Sequence, residues 1–246
     1  MPTVVITGVG QRLGLCLAEY FLSKKYKVVG TYRTPRAAID TLRLKGAELY
    51  QVNFYRQQQV QQFISSVTNN HNTIDCLIHN ASDWHDDKGD LDFADYHAIF
   101  SNMMTIHAEV PYQLNLAFKQ QLSAHLTDSV NKQQQQYSDI IHISDYVAFK
   151  GSKKHIAYAA SKAALENLTL SFAQRYSPNI KVNSIAPALL AFNNDDDDNY
   201  KTKARNKSLL QTEGSFQEVL NTVEWLLASH YITGRTIHLD GGRHLK

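Results

Sequence analysis

The sequence predicts an α/β chain: a doubly wound, seven-stranded, mainly parallel sheet with helices on both faces. Two observations carry this. Short β-branched or apolar runs alternate with longer stretches whose apolar residues recur at helical spacing. A glycine-bearing turn, Thr7-Gly8-Val9-Gly10-Gln11-Arg12-Leu13-Gly14, joins the first run to the first stretch. Strands that alternate with helices need crossovers, and crossovers give parallel neighbours.

Taken in order, residues 3–7 form a β-branched first strand. Leu13, Leu17, Ala18 and Phe21 then share one helical face. Residues 27–32, 48–53, 75–79, 139–144, 181–185 and 236–239 read as strands two to seven. The clearest later helices are 112–126, 157–176 and 216–229. Two segments interrupt the alternation. Gln133 to Gln136 is a polar run that reads as a surface insertion without function. Asp195 to Asp198 lies in a long loop after the sixth strand, where a lid over a ligand would sit. No repeat or Pro/Gly/Ser-rich linker divides the chain, so residues 1–246 are expected to form a single domain with a lid-like loop at about 188–214.

Composition narrows the function classes. Hydrophobic residues make up 43% of the chain, enough for one substantial core. Net charge is +2 with Lys and Arg scattered, which leaves no electrostatic footprint for nucleic acid. No long apolar run suggests a membrane span. The N-terminal residues lack the pattern of a secretory signal. Cys16 and Cys76 each sit in apolar segments and are expected to be small buried hydrophobes rather than a disulfide. Cytoplasmic residence in a reducing compartment is the expectation.

The glycine turn suits close approach of backbone to a pyrophosphate, with Gly8 and Gly14 leaving the helix N-terminus open to the anion. Arg33 ends the second strand where an acidic residue would bind ribose hydroxyls, and a guanidinium there suits a 2′-phosphate. NADPH is therefore expected over NADH. Tyr158 and Lys162 stand four residues apart at the start of a long helix and share a face. A phenol has an ordinary pKa of about 10, and a nearby ammonium is expected to lower it. Such a phenol can donate a proton while a nicotinamide delivers hydride.

These pieces, with Asn80-Ala81-Ser82, Val182-Asn183-Ser184-Ile185-Ala186-Pro187 and Leu239-Asp240-Gly241-Gly242, resemble the short-chain dehydrogenase/reductase family over essentially the whole chain. The resemblance implies a Rossmann-type fold, a homotetramer, and a nicotinamide-ribose contact from Lys162. It implies that Asn80 and Ala81 lie near the cofactor and that the backbone after Pro187 meets the carboxamide. It assigns Leu13, Phe54 and Ser144 to the cofactor site as well.

Departures from the family pattern are similar to its pteridine-reducing branch. Arg12 replaces the middle glycine of the turn and is expected at the pyrophosphate and the substrate mouth. Asp145 stands thirteen residues before Tyr158, where a serine is usual. An ionised aspartate only accepts hydrogen bonds, which suits a substrate with N–H donors better than a ketone, and a protonated one can pass a proton toward a ring nitrogen. Trp84 is expected to stack on that substrate. Asn53 replaces an aspartate that contacts adenine, and its amide retains that capacity. His107 replaces an asparagine that anchors a relay water; it can hold the water, donate through one nitrogen, or serve as a core histidine.

The resemblance implies reduction of a 7,8-dihydropterin by NADPH, with dihydrofolate as a secondary substrate. Tyr158, Lys162 and Asp145 are the catalytic candidates. Arg12, Trp84, Asp145 and Tyr158 are the substrate-binding candidates, and no metal is expected. The competing readings are a general carbonyl reductase acting on oxoacyl or sugar substrates, and a cofactor-binding regulator without catalysis.

Overall fold

The computed structural model describes residues 1–87, 91–124 and 137–246. Strands β1 (Thr3–Ile6), β2 (Lys27–Tyr32), β3 (Glu48–Gln51), β4 (Cys76–His79), β5 (Ser138–Ile143), β6 (Ile180–Pro187) and β7 (Thr236–Leu239) form one sheet. Its order is β3-β2-β1-β4-β5-β6-β7. Every neighbouring pair is parallel, where the sequence predicts a mainly parallel sheet.

The described helices are α1 (Arg12–Ser23), α2 (Ala37–Leu44), α3 (Gln57–Asn70), α4 (Phe93–Met104), α5 (Val110–Ala117), α6 (Lys119–Leu122), α7 (Val147–Lys150), α8 (Ile156–Tyr176), α9 (Asp198–Arg205) and α10 (Phe216–Ala228). A π-helical turn, Thr105–Glu109, joins α4 to α5.

Successive strand residues point to opposite faces, so each face builds its own core. Val4, Val28 and Ile78 pack with Leu17 and Phe21 of α1 and Val223 of α10. Val5, Val29 and Leu77 pack with Phe63 of α3, Leu114 of α5 and Phe172 of α8. Burial on both faces explains why the strands read as apolar runs rather than alternating ones. The order reverses between β1 and β4, and the crevice beyond their carboxyl ends is where such sheets bind ligands.

Three differences from the sequence reading have local causes. Thr7, Val52, Asn53, Asp75 and Ser144 lie just outside their strands; Thr7, Val52, Asp75 and Ser144 still donate one backbone hydrogen bond each to the adjoining strand, and Asn53 turns the chain instead. The helix expected at 112–126 is the last part of a longer run that starts at Phe93, where Asp92 and Asp95 form a capping box. The π-turn resets its periodicity before Pro111. Helix α9 begins at the last residue of the acidic run and buries no residue, so it left no apolar period to read. Residues 125 and 126 of the expected helix, and the run from Gln133 to Gln136, lie outside the described residues.

Candidate active site

The turn after β1 opens a cleft of about 330 Å³ lined by Gly8, Arg12, Leu13 and Gly14 on one side and Asn80 and Ala81 on another. Gly8 has φ +78°, and a Cβ at Gly14 would lie 1.9 Å from the Gly8 carbonyl oxygen. Asn80 donates to the Thr7 and Gly8 carbonyls at 3.1 and 2.9 Å, which ties the turn to β4. Thr7 Oγ1 accepts from the Asn80 and Ala81 amides. The result is a backbone cradle at a helix N-terminus, left open where Gly8 and Gly14 carry no side chain. It fits a dinucleotide pyrophosphate.

Arg12 occupies the left-handed region at φ +50°, which explains why glycine is the usual residue in this turn. Its guanidinium crosses the cleft and donates to Asn193 Oδ1 at 2.7 Å and the Ala191 carbonyl at 3.0 Å. It thus joins the turn after β1 to the segment that follows β6. At the far end of the cleft, Arg33 pairs with Asp83 at 2.6 Å, and Tyr55 donates to the same carboxylate oxygen at 3.1 Å. Arg36, Thr34, Phe54 and Tyr55 line this end with Arg33. Asn53 turns its amide oxygen to the Tyr55 amide, so it shapes this wall through the backbone.

The second cluster lies at the start of α8. Tyr158 donates its hydroxyl to Asp145 Oδ2 at 3.0 Å. Lys162 is 3% exposed and donates to the Ile143 carbonyl at 2.9 Å, with its ammonium 5.6 Å from the centre of the Tyr158 ring. Burial lowers the Lys162 pKa to about 8, against the pull of Asp145 and Glu166. Burial raises the Asp145 pKa above its ordinary value, against the Val147 amide and Lys162. Burial, then Asp145, pushes the Tyr158 phenol well above its ordinary value. This corrects the expectation of a phenol acidified by Lys162: desolvation and the facing carboxylate raise the phenol, and Lys162 is not among the groups that shift it. Tyr158 is held as a protonated acid.

His107, 1% exposed, projects from the π-turn with its ring edge-on to Tyr158 at 5.3 Å. Burial, then Lys162, lowers its pKa to about 2, so it is neutral. Ser161 spends its hydrogen on the Tyr158 carbonyl at 2.8 Å, so His107 Nδ1–H donates to Ser161 Oγ at 2.9 Å. The bare Nε2 then accepts from Ser82 at 2.7 Å. Of the three roles open to His107, this geometry matches a satisfied histidine that orients two serines around Tyr158.

Ser144 is buried and donates to Glu166 at 2.9 Å, and Pro187 ends β6 with its carbonyl accepting from the Tyr146 amide at 3.0 Å. Trp84 is 60% exposed and lies against His155, ring centres 4.7 Å apart. The structure thus groups Gly8, Arg12, Leu13, Gly14, Arg33, Phe54, Asn80 and Ala81 around the cleft, and Tyr158, Lys162 and Asp145 at α8. Sequence reasoning missed Arg36, Tyr55, Asp83 and His155. Arg36 carried a signal, three residues beyond Arg33; Asp83 did not, because its partner is fifty residues away.

Comparison with known proteins places these features. Residues 8–244 match a family model described as enoyl-(acyl carrier protein) reductase. The chain is 44% identical over 243 residues to the dihydromonapterin reductases of Escherichia coli (strain K12) and Shigella sonnei (strain Ss046), covering 99% of this chain and 97% of each relative. Two solved structures share the fold at low identity. An apo SCOR enzyme from Clostridium thermocellum superposes with a TM-score of 0.82 at 22% identity, covering 100% of this chain and 93% of that one. A protein assigned to the short-chain dehydrogenases/reductases from Burkholderia xenovorans gives 0.83 at 23%, covering 100% and 99%.

Proposed function

The chain belongs to the short-chain dehydrogenase/reductase family, and we propose that it reduces 7,8-dihydropterins to tetrahydropterins with NADPH, taking dihydromonapterin first and dihydrofolate second. The observation that carries this reading is the half-buried Asp145 carboxylate that receives the Tyr158 hydroxyl. A carboxylate at that position offers acceptors to a heterocycle with N–H edges and offers a simple ketone no donor.

When bound, NADPH supplies hydride to C6 of the pterin ring. Gly8, Leu13 and Gly14 give the cofactor's pyrophosphate its room, Asn80 and Ala81 hold that turn, and Arg33 receives the 2′-phosphate. Lys162 orients the nicotinamide ribose, and the backbone after Pro187 meets the carboxamide. Ser144, Asn53 and Phe54 complete the cofactor site, Ser144 and Asn53 from behind the wall. Tyr158 keeps its proton until the ring nitrogen N5 gains electron density, then gives it up directly or through water. Asp145 holds the pterin edge and can carry the proton onward. Trp84 stacks on the outer face of the ring, and Arg12 borders the substrate mouth.

The proposal treats 1–246 as one catalytic domain with 188–214 as its lid, joined to the cofactor turn by Arg12. It takes the active form to be a homotetramer, since Phe93 and Phe100 of α4 and Leu170 of α8 are exposed apolar side chains. No helix among the described residues is long and apolar enough to cross a membrane, and the proposed site of action is the cytoplasm. The test is NADPH oxidation with dihydromonapterin, dihydrobiopterin and dihydrofolate, with Tyr158→Phe as control. Turnover of dihydropterins that falls by about 10²- to 10⁴-fold in Tyr158→Phe is expected. Turnover of an acyl thioester or ketone alone would favour the carbonyl- or enoyl-reductase reading that the family model's description suggests.

A further inference from the structure

Segment 82–87 connects the two halves of the site. Asp83 Oδ2 takes the Arg33 guanidinium and the Tyr55 hydroxyl, while Asp83 Oδ1 accepts from the Trp84 amide at 3.1 Å. One carboxylate therefore holds both the arginine at the far end of the cofactor cleft and the backbone of the exposed tryptophan. The other end of the segment is fastened just ahead of α8. The Asp87 amide donates to the Lys154 carbonyl at 2.8 Å, and the Asp87 carboxylate accepts from the Ile156 amide. His155, whose ring lies against Trp84, donates through Nδ1 to the His85 carbonyl at 3.1 Å. Tyr158 follows two residues after Ile156.

We infer that Asp83 is a positioning residue that senses the 2′-phosphate of the cofactor and passes its presence to Trp84. The inference rests on the reading that NADPH is the cofactor. The two states are physical alternatives. In one, Arg33 is neutralised by Asp83. In the other, a phosphate monoester carrying about −1.5 to −2 charges takes the guanidinium. A carboxylate and a phosphate cannot share one guanidinium edge without like-charge repulsion, so the weaker anion turns away. Asp83 Oδ1 then carries the Trp84 amide with it. A dinucleotide without the phosphate leaves the Arg33–Asp83 pair closed and Trp84 where it stands. The coupling is reciprocal, so a ring stacked on Trp84 in the displaced state tightens the phosphate site by the same factor.

The test uses 2′,5′-ADP, which bears the phosphate but has no nicotinamide and cannot touch the substrate position. The chain has two tryptophans, so a Trp225→Phe background leaves Trp84 as the single reporter. Saturating 2′,5′-ADP should shift or quench Trp84 emission, and 5′-ADP should not. In Asp83→Asn, 2′,5′-ADP should bind about two- to fivefold more tightly, the worth of an exposed ion pair that no longer competes. The Trp84 response should be lost there. Emission unchanged by bound 2′,5′-ADP, a response that survives Asp83→Asn, or weaker binding in that variant would each overturn the inference while NADPH use stands. Failure of 2′,5′-ADP to bind the parent protein would overturn the NADPH reading as well, and calorimetry separates that case from a silent tryptophan.

Discussion

Acid should destabilise this fold through a histidine pair that no catalytic step needs. His79 on β4 and His142 on β5 lie between the sheet and helices α5 and α8, with rings 5.1 Å apart. The proton count is fixed by their partners. Thr169 spends its hydrogen on the Leu165 carbonyl, so His142 Nδ1–H donates to Thr169 at 2.8 Å. The bare His142 Nε2 accepts from the Asn115 amide at 3.2 Å, which leaves Asn115 Oδ1 to receive His79 Nε2–H at 2.8 Å. His79 Nδ1 has no partner among the described residues. Burial lowers the His79 pKa from 6.5 to about 4. The unfolded chain therefore takes up this proton first, and the stabilisation present above pH 6.5 is lost as pH falls toward 4. At pH 5 the loss is about 2 kcal/mol, from about 1.5 pH units at about 1.4 kcal/mol each. His79→Gln keeps an N–H for Asn115 and removes the titration. Urea unfolding of parent and variant at pH 7.5 and pH 5, at constant ionic strength, isolates the effect, because Asp139, Asp145 and Glu166 titrate in both. The penalty of the substitution should shrink by about 2 kcal/mol at the lower pH. A penalty that does not change with pH would refute the argument.

Three further outcomes follow from the site. Arg33→Ala should raise the NADPH Kd by roughly ten- to hundredfold, the worth of one charge-assisted contact, and leave NADH binding unmoved; fluorescence titration with both cofactors checks this. Arg12→Gly should relieve about 1 kcal/mol of left-handed strain and remove both lid hydrogen bonds. Its Tm should therefore stay within a few degrees of the parent while the dihydropterin KM rises, and a large fall in Tm would contradict the strain assignment. In the acidic lid, Asp197 caps α9 and Asp196 accepts from the Asn193 amide. Replacing Asp195 and Asp198 with Asn should thus spare the lid and narrow the preference for dihydromonapterin over dihydrofolate, whose glutamate tail the acidic mouth repels. High salt should narrow the preference in the parent too, and a salt-independent kcat/KM ratio would count against the repulsion.

What could be read in advance was whatever is written locally. The strands were legible because both faces of this sheet are buried, so apolar runs such as Val4-Val5-Ile6 and Cys76-Leu77-Ile78 stand out. The glycine turn and the Tyr158–Lys162 spacing were legible because each is set by a single turn of backbone. Contacts made by tertiary closure were not. Nothing near Arg33 in the sequence announces Asp83, and nothing near Arg12 announces Asn193. Helix α9 was hidden because it rests on capping rather than on an apolar face.

The phenol is the instructive case, because the residues were found and their electrostatics were not. Spacing places Lys162 beside Tyr158, and in water that proximity would favour the phenolate. Inside the fold Lys162 is itself desolvated, its pKa drawn down to about 8, and its ammonium donates to the Ile143 carbonyl, 5.6 Å from the centre of the Tyr158 ring. The hydroxyl meets Asp145 instead. A carboxylate that accepts from the phenol at 3.0 Å favours the state in which the phenol keeps its hydrogen. The proposed reduction needs that state, since Tyr158 would deliver a proton when the ring nitrogen becomes basic, and a phenolate would have none to give. The usual serine would relax this constraint by being able to donate. Asp145 thus acts on the phenol through one oxygen: its Oδ2 accepts the Tyr158 hydroxyl, while its Oδ1 is held by the Val147 amide.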